Sequence, residues 1–197
     1  MNWLIRERST FFINLNHQDN WFIDYFYYIV FNVYLMGAGI LPFTIYKGKL
    51  LFLFGRENKD KYNKDMSKKG LWSDFGGSRE GKENYKETAI REGFEESSGF
   101  FGSEKDIKHL ITTKCLKEIE HHKYKTFLVY IPYDDKLVSN FRRDFLYVKK
   151  NEPELYNKTG LYEKDMIKWV PYNKLRDFKH DVRIFYKGII SKLLRAL

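Results

Sequence analysis

Residues 91 to 96 place three carboxylates on one side of a single predicted helix. Glu92, Glu95 and Glu96 stand at positions i, i+3 and i+4, and each residue of an α-helix advances by about 100° around the axis, so the three fall within roughly 100° of arc. Like charges spaced in this way repel one another by a few tenths of a kcal/mol per pair in an isolated helix. The concentration of charge indicates a bound cation, and oxygen ligands suit Mg²⁺ or Mn²⁺.

The predicted helix has recognisable ends. Asn84 and Glu87 are spaced as an N-cap residue and its reciprocal partner, and Gly99 supplies a left-handed stop. These signals predict a helix from Tyr85 to Ser98.

The other positions of this helix predict a buried side and an organising cation. Ile90 and Phe94 lie opposite the carboxylates and are expected to pack on a core. Glu87, Arg91 and Glu95 alternate in sign at four-residue steps, which is favourable on a helix surface. We therefore expect Arg91 to hold the carboxylates of this face in position.

The stretch from Gly77 to Gly99 resembles the Nudix box. The pattern of that box is Gly, five residues, Glu, seven residues, Arg-Glu, an aliphatic residue, any residue, Glu-Glu, any residue, Gly. The positions in register here are Gly77, Glu83, Arg91, Glu92, Glu95 and Glu96. This chain departs from the pattern at Gly93, which replaces the aliphatic residue, and at the closing Gly99, which comes one residue late.

Sequences on both sides of the box extend the resemblance over about Met36 to Leu175. Residues 36–56 resemble the opening hairpin of a Nudix domain, and 71–77 resemble the strand that enters the box. Residues 161–171 resemble a late strand where many members place a further acidic residue. Within it, Glu163 to Trp169 is similar to an element of the Nudix decapping enzymes of large DNA viruses.

The resemblance implies a fold and two units. The expected fold class is α/β, a Nudix-type α/β/α sandwich with a mixed sheet. Residues 35–197 would form the hydrolase domain, and residues 1–34 an amino-terminal extension packed on or beside its core.

The resemblance also implies a set of site residues. Mg²⁺ or Mn²⁺ would be held by Glu92, Glu95, Glu96 and the carbonyl group of Gly77. Such an ion can polarise a phosphoryl oxygen and generate hydroxide from bound water. The general base would be Glu92 or Glu163, and both remain open at this stage.

The implied activity is hydrolysis of a diphosphate linkage in a phosphoanhydride substrate. Capped RNA is the favoured substrate, with release of a nucleoside diphosphate, because the chain is basic and carries the additional amino-terminal segment. Dinucleoside polyphosphates, nucleotide sugars and diphosphoinositol polyphosphates are the alternatives. A non-catalytic binding module with the same fold is the alternative of another class.

The charge balance favours a polyanionic partner such as RNA. The 197 residues include 35 Lys and Arg against 26 Asp and Glu, which gives a formal net charge of +9. The candidate substrate contacts are Lys123, Lys125, Trp72 and Phe75. The wider basic clusters are Lys114, Lys117, His121 and His122, and Arg176, Lys179, His180 and Arg183.

The single cysteine, Cys115, fits a reducing compartment, and with no apparent signal peptide we expect a cytoplasmic protein. Tyr25 to Tyr46 contains no charged residue, but Asn, Gly and Pro interrupt it. No stable membrane association is expected, and Asp24 to Leu35 is interpreted as a buried strand or helix.

Hydrophobic periodicity predicts the remaining elements. The predicted strands are Leu50 to Phe54, Thr112 to Lys117, Thr126 to Pro132 and Ile167 to Val170. A closing amphipathic helix is predicted over Lys179 to Leu197. Glu57 to Lys69 is predicted to be a mobile surface loop, and Pro132 to Gly160 an irregular insertion.

Overall fold

The computed structural model describes residues 36–197. The extension predicted at residues 1–34 and the element predicted over Asp24 to Leu35 lie outside the described residues. The strands are β1 Gly37–Tyr46, β2 Lys49–Glu57, β3 Trp72–Ser73, β4 Phe75–Ser78, β5 Cys115–His121, β6 Tyr124–Tyr130 and β7 Lys164–Pro171. The helices are α1 Tyr85–Ser97, α2 Glu104–Thr113, α3 Leu137–Asn151, α4 Pro153–Tyr156, α5 Leu175–Phe178 and α6 Tyr186–Ala196, with a 3₁₀ turn at Tyr172–Lys174.

The strands of the described residues form one mixed sheet. Its order is β3-β2-β1-β6-β5, while β4 pairs with β1 and β7 pairs with β2. The β1 and β6 strands are parallel, and the other pairings are antiparallel. The predicted opening hairpin is confirmed as β1 and β2, joined at Lys47 and Gly48 with φ values of 49° and 71°. Two positive φ values in succession match the twist that antiparallel strands require.

Alternating side chains of the strands face two separate cores. Leu41, Phe52 and Leu128 belong to one cluster, while Ile40 and Leu53 belong to the other. The first cluster is closed by residues of α5 and α6, and the second by residues of α1, α2 and α3. Helices therefore cover both faces of the sheet, which confirms the predicted α/β sandwich.

Three sequence predictions of local structure are wrong. The interval Pro132 to Gly160 is not irregular, because α3 and α4 lie within it. The strand predicted from Thr112 begins only at Cys115, since α2 extends to Thr113. The closing helix begins at Tyr186 rather than Lys179, because a short helix and a loop precede it. In each case the packing of the segment in the folded protein decides where helix forms, which the helix propensity of the residues does not determine.

No helix within residues 36–197 is long and apolar enough to cross a membrane.

Candidate active site

Helix α1 has the capping geometry that its sequence predicts. The Asn84 side chain accepts hydrogen bonds from the backbone N–H groups of Lys86 and Glu87, and Glu87 accepts one from the Asn84 N–H in return. The helix ends at Ser97, and Ser98 is left-handed with a φ of 51°. A rigid N-terminus fixes the rotation of the helix, and with it the direction of the carboxylate face.

The Arg91 guanidinium group contacts several carboxylates at once. Its Nη1 atom lies 3.0 Å from Glu92 Oε1 and 2.9 Å from Glu95 Oε2. Its Nε atom donates to Glu83 Oε1 at 2.8 Å, and its Nη2 atom donates to the Ser78 carbonyl oxygen at 2.9 Å. The Glu83 hydrogen bond lowers the pKa of that carboxyl to about 2, so the pair is charged at neutral pH. Arg91 thus joins the helix to the loop that precedes it.

Glu92 lies directly against the glycine loop. A Cβ atom added at Gly77 would come within 2.5 Å of the Glu92 carboxylate, so a larger residue there would displace this side chain from its present position. Burial raises the pKa of Glu92 to about 7, although Arg91 acts in the opposite direction. The carboxylate is therefore poised to exchange a proton near neutral pH, or to accept a second positive charge.

Glu96 is the most deeply buried member of the carboxylate face, with 3% exposure. Its Oε2 atom accepts the Gly76 N–H at 2.5 Å and lies 3.2 Å from Lys164 Nζ. Burial raises the pKa of Glu96 well above its usual range despite the attraction of Lys164. A carboxylate so short of compensating charge suits a bound cation.

Glu163 faces the same region from the loop before β7. Its Oε2 atom accepts a hydrogen bond from the Tyr62 hydroxyl at 2.5 Å. The segment that carries Tyr62 is anchored to the loop of Glu163 by Asn58, whose Nδ2 atom donates to the Tyr162 carbonyl at 2.8 Å and to the Tyr156 hydroxyl at 3.0 Å. Burial is the main cause of the raised pKa of Glu96, and the negative charges of Glu57, Glu92 and Glu163 act in the same direction.

The start of the predicted mobile loop belongs to the buried structure instead. Glu57 is 1% exposed and ends β2. Its Oε1 atom accepts from Lys164 Nζ at 2.6 Å, from Ser73 Oγ at 3.1 Å and from Arg183 Nη1 at 3.2 Å. Burial favours a raised pKa for Glu57, but the charges of Lys164 and Arg183 outweigh it, and the pKa is lowered. Sequence reasoning did not single out Glu57, and its place in an otherwise polar stretch gave no sign of burial.

A second buried carboxylate missed as a functional candidate is Asp74, just before the glycine loop. It is fully buried and accepts hydrogen bonds from the Tyr124 hydroxyl and Thr126 Oγ1, both at 2.8 Å. Burial raises its pKa to about 6 against the effect of these two donors. A Cβ atom at Gly76 would lie 2.3 Å from the Tyr124 hydroxyl oxygen, so this network also sets the position of the loop.

The departure from the box pattern at Gly93 has a packing reason. A Cβ atom there would lie 3.1 Å from Ile40 Cδ1 of β1 and 3.4 Å from Ile107 Cγ2 of α2. A side chain at this position would therefore be tight against Ile40, and a larger aliphatic group would need Ile40 to move.

The predicted substrate contacts are only partly available at the surface. Phe75 is fully buried and contacts Phe101, so its predicted role in substrate binding is wrong. Lys125 pairs with Glu118 at 2.8 Å and with Glu120 at 3.7 Å, which offsets its charge.

The remaining predicted contacts, Trp72 and Lys123, also differ in how accessible they are. Trp72 is half-buried and contacts Phe178, while Lys123 is exposed beside the β5–β6 turn. Arg183, from the second basic cluster, is an internal partner of Glu57 and does not offer its charge to a phosphate backbone.

The two histidines and the cysteine have structural positions. His122 has a φ of 53° at the turn between β5 and β6. His121 packs on the backbone of α6, because a Cβ atom at Gly188 would lie 2.0 Å from its ring. Cys115 is half-buried at a bulge in β5, and burial raises its pKa.

The donor set suits a divalent cation, although the side chains do not converge on one. Within residues 36–197 no three His, Cys, Asp or Glu side chains are grouped closely enough to hold a metal ion together. Glu92 and Glu95 turn toward Arg91, and Glu96 toward Lys164. The raised pKa values of Glu92 and Glu96 leave room for added positive charge, so the residues fit a cation chemically, and Glu92 and Glu95 would have to turn away from Arg91 to hold it.

Comparison with solved structures matches this chain to proteins from several organisms. A MutT protein from Methanosarcina mazei Go1 is 18% identical, with a TM-score of 0.45, over 82% of this chain and 94% of that chain. A Caenorhabditis elegans (C. elegans) Ap4A hydrolase is 16% identical, with a TM-score of 0.45, over 82% and 96%. A mutT/nudix family protein from Listeria innocua is 14% identical, with a TM-score of 0.48, over 83% and 93%. The sequence matches no family model and no curated protein.

Proposed function

We propose that this chain is a divalent-metal-dependent Nudix hydrolase that cleaves a diphosphate linkage. The observation that carries the proposal is the carboxylate face of α1 beside the glycine loop. Glu92 lies against Gly77, Glu96 is buried on the Gly76 N–H, and Arg91 joins Glu92 and Glu95. The three carboxylates lie on one face of a capped helix, and the raised pKa values of two of them support a site that can accept added positive charge.

Mg²⁺ or Mn²⁺ would be held by Glu92, Glu95, Glu96 and the carbonyl group of Gly77. When bound, such an ion polarises a phosphoryl oxygen and lowers the pKa of a coordinated water. Arg91 keeps the α1 carboxylates oriented, and the glycine loop admits substrate oxygens close to the backbone.

We assign the general base to Glu163. Glu92 is the other candidate, but it contacts Arg91 and belongs to the proposed ligand set. Glu163 receives the Tyr62 hydroxyl on Oε2, which fixes the carboxylate and leaves Oε1 to accept a proton from water. Glu163→Gln should therefore lower kcat while Mn²⁺ affinity is retained, whereas Glu92→Gln should lower both.

Capped RNA is the substrate class that we favour. The formal net charge of +9 supports a polyanionic substrate. The loop beside Glu163 contains five lysines, which are Lys59, Lys61, Lys64, Lys68 and Lys69. This loop is a better candidate phosphate path than the β5–β6 hairpin, where Glu118 and Glu120 offset Lys125.

One panel of assays tests the activity. The purified protein is incubated with Mg²⁺ or Mn²⁺ and capped RNA, dinucleoside polyphosphates, nucleotide sugars or diphosphoinositol polyphosphates, and products are identified by mass. Release of a nucleoside diphosphate and 5′-monophosphate RNA is the expected result. Tight binding without turnover of any substrate would favour the non-catalytic module.

The salt dependence separates RNA from small substrates. Each neutralised phosphate contributes close to one unit of slope, about 0.7 for single strands, to a plot of log affinity against log salt. RNA binding along the loop predicts that the affinity for RNA falls steeply with salt. It also predicts that the double variant Lys59→Glu/Lys64→Glu reduces this slope more than the double variant Lys123→Glu/Lys125→Glu does. Equal losses on RNA and on a free cap dinucleotide, or a flat slope, would favour a small nucleotide substrate.

A further inference from the structure

Lys164 is a fully buried lysine that lies between two carboxylates. Its Nζ atom contacts Glu57 Oε1 at 2.6 Å, Ser73 Oγ at 2.8 Å and Glu96 Oε2 at 3.2 Å. A buried charge is costly unless it is paired and hydrogen-bonded, and here the ammonium group donates hydrogen bonds to Glu57 and Ser73 and forms an ion pair with Glu96. This arrangement locks the position of the ammonium group.

An irregularity of the sheet directs Lys164 to this place. Glu57 pairs with Lys164 and Arg56 pairs with Met166, so β7 contains one extra residue, Asp165. Asp165 is held by Arg56 at 2.7 Å. A bulge of this kind re-aims the neighbouring side chain and is common beside active sites. The Lys164 stem also fills the space left by a glycine, because a Cβ atom at Gly55 would lie 3.0 Å from its Cγ and Cδ atoms.

The contacts of Glu96 are concentrated on one of its two oxygens. Both the Gly76 N–H and Lys164 Nζ approach Oε2. A carboxylate fixed through one oxygen has a defined orientation, and the second oxygen, Oε1, becomes the natural cation ligand. Outer partners that orient a ligating carboxylate in this way commonly tune metal affinity.

We propose that Lys164 is a positioning residue of the active site, which holds Glu96 Oε2 so that Oε1 is presented to a divalent cation. Glu57 and Ser73 are in turn the groups that hold Lys164. This inference deepens the proposed function and rests on it. Lys164 acts through Glu96 and does not itself contact the substrate.

The decisive experiment measures Mn²⁺ binding to the full chain by calorimetry. Glu57→Gln/Lys164→Met removes one positive and one negative charge together, so the buried network stays balanced. The matched control is Lys168→Met, an exposed lysine on the same strand. We expect the double variant to raise the Mn²⁺ Kd about tenfold, while the control stays within about twofold of wild type.

The direction of the change separates positioning from simple electrostatics. If Lys164 only contributes charge, the double variant should bind the cation no more weakly than wild type, because the lost ammonium charge is matched by the lost Glu57 charge. A weaker Kd in a variant with a Tm close to that of the control supports the proposal. An unchanged or tighter Kd overturns it.

A milder variant keeps the proposal testable if the double variant does not fold. Ser73→Ala removes one acceptor of Lys164 and leaves every charge in place. It should raise the Mn²⁺ Kd about threefold, and an unchanged Kd overturns the proposal.

Failure of the proposed function gives a different result. Wild-type protein that binds Mn²⁺ but hydrolyses no substrate removes the assigned activity, while the Kd comparison still decides the role of Lys164. Wild-type protein that binds no Mn²⁺ overturns both.

Discussion

The carboxylate face of α1 is held by two cations of different origin. On its more exposed side, Arg91 belongs to the same helix and contacts Glu92 and Glu95. On its buried side, Lys164 comes from β7 and contacts Glu96. The first arrangement follows from helical spacing, and the second exists only because the fold brings Lys164, at the start of β7, within reach of Glu96. Local and long-range contacts thus control different carboxylates of one site.

The two sides also differ in solvent and in energy. The side chain of Arg91 is 17% exposed, whereas Lys164 is fully buried. Partly exposed ion pairs contribute at most about 1 kcal/mol each. Removal of one partner from a buried pair costs about 3–5 kcal/mol, because the other charge stays unpaired. The buried side should therefore tolerate substitution less well than the exposed side.

The largest expected effect is on the buried side of the face. Glu96→Gln should lower kcat about a thousandfold, equivalent to about 4 kcal/mol, because a proposed ligand loses its charge while its shape is kept. Steady-state kinetics and a thermal melt measure the two consequences, and a folded protein is expected. Retention of more than about a tenth of the wild-type rate, a loss under about 1.4 kcal/mol, would contradict the ligand assignment.

Asp74 is a third case to compare, because this buried carboxylate is paired with hydroxyl groups and not with a cation. The pKa of Asp74 is about 6, above its ordinary value of 3.8, because of burial. As the pH rises, the Asp74 carboxyl loses its proton at a lower pH in the unfolded chain than in the folded protein. Asp74 therefore stabilises the folded protein at pH 4, and this contribution is lost progressively up to about pH 6. The two-unit shift corresponds to about 3 kcal/mol.

Asp74→Asn tests this pH dependence directly. The difference in unfolding free energy between wild type and variant should fall by up to about 3 kcal/mol between pH 4 and pH 7. Urea denaturation at several pH values measures it, and other titrating groups cancel in the difference. A difference that does not change with pH would show that Asp74 ionises normally in the folded protein.

The exposed side should respond more weakly. Arg91→Lys keeps the positive charge but loses the planar group that reaches Glu83, Glu92 and Glu95 together. We expect kcat to fall about tenfold, or about 1.4 kcal/mol, with nearly normal folding. Unchanged kinetics would reduce Arg91 to a surface partner of Glu83.

The smallest effect is expected at the neighbouring loop. Tyr62→Phe removes the hydroxyl that donates to Glu163 and leaves the ring in place. We expect kcat to fall about threefold, or about 0.7 kcal/mol, with KM unchanged. Tyr147→Phe, at an exposed tyrosine of α3, is the matched control. Equal rates for both variants would show that the Tyr62 hydroxyl does not position Glu163.

Patterns within short stretches of sequence were sufficient for α1 and its carboxylate face. The spacing of Asn84 and Glu87 predicted the start of the helix. The period of 3.6 residues placed Glu92, Glu96 and Arg91 on neighbouring positions of its surface. The opening hairpin was also predictable, from the resemblance that residues 36–56 carry. Substrate contacts were less predictable. The aromatic ring of Phe75 could in principle stack on a base, but it is fully buried in the core.

Only the tertiary structure decided how the buried side of the site is built. Lys164 and Arg183 reach Glu57 across sequence separations of 107 and 126 residues. A charged residue in a polar stretch is normally predicted to be exposed to solvent. The sequence shows the alternation of a strand, but it does not show how that strand is aligned with its neighbours, so the burial of Glu57 could not be predicted. The bulge at Asp165, which directs Lys164 to Glu96, follows from that register. Helical spacing therefore determined which carboxylates share a face and placed Arg91 beside two of them, whereas sheet pairing determined that Lys164 compensates Glu96.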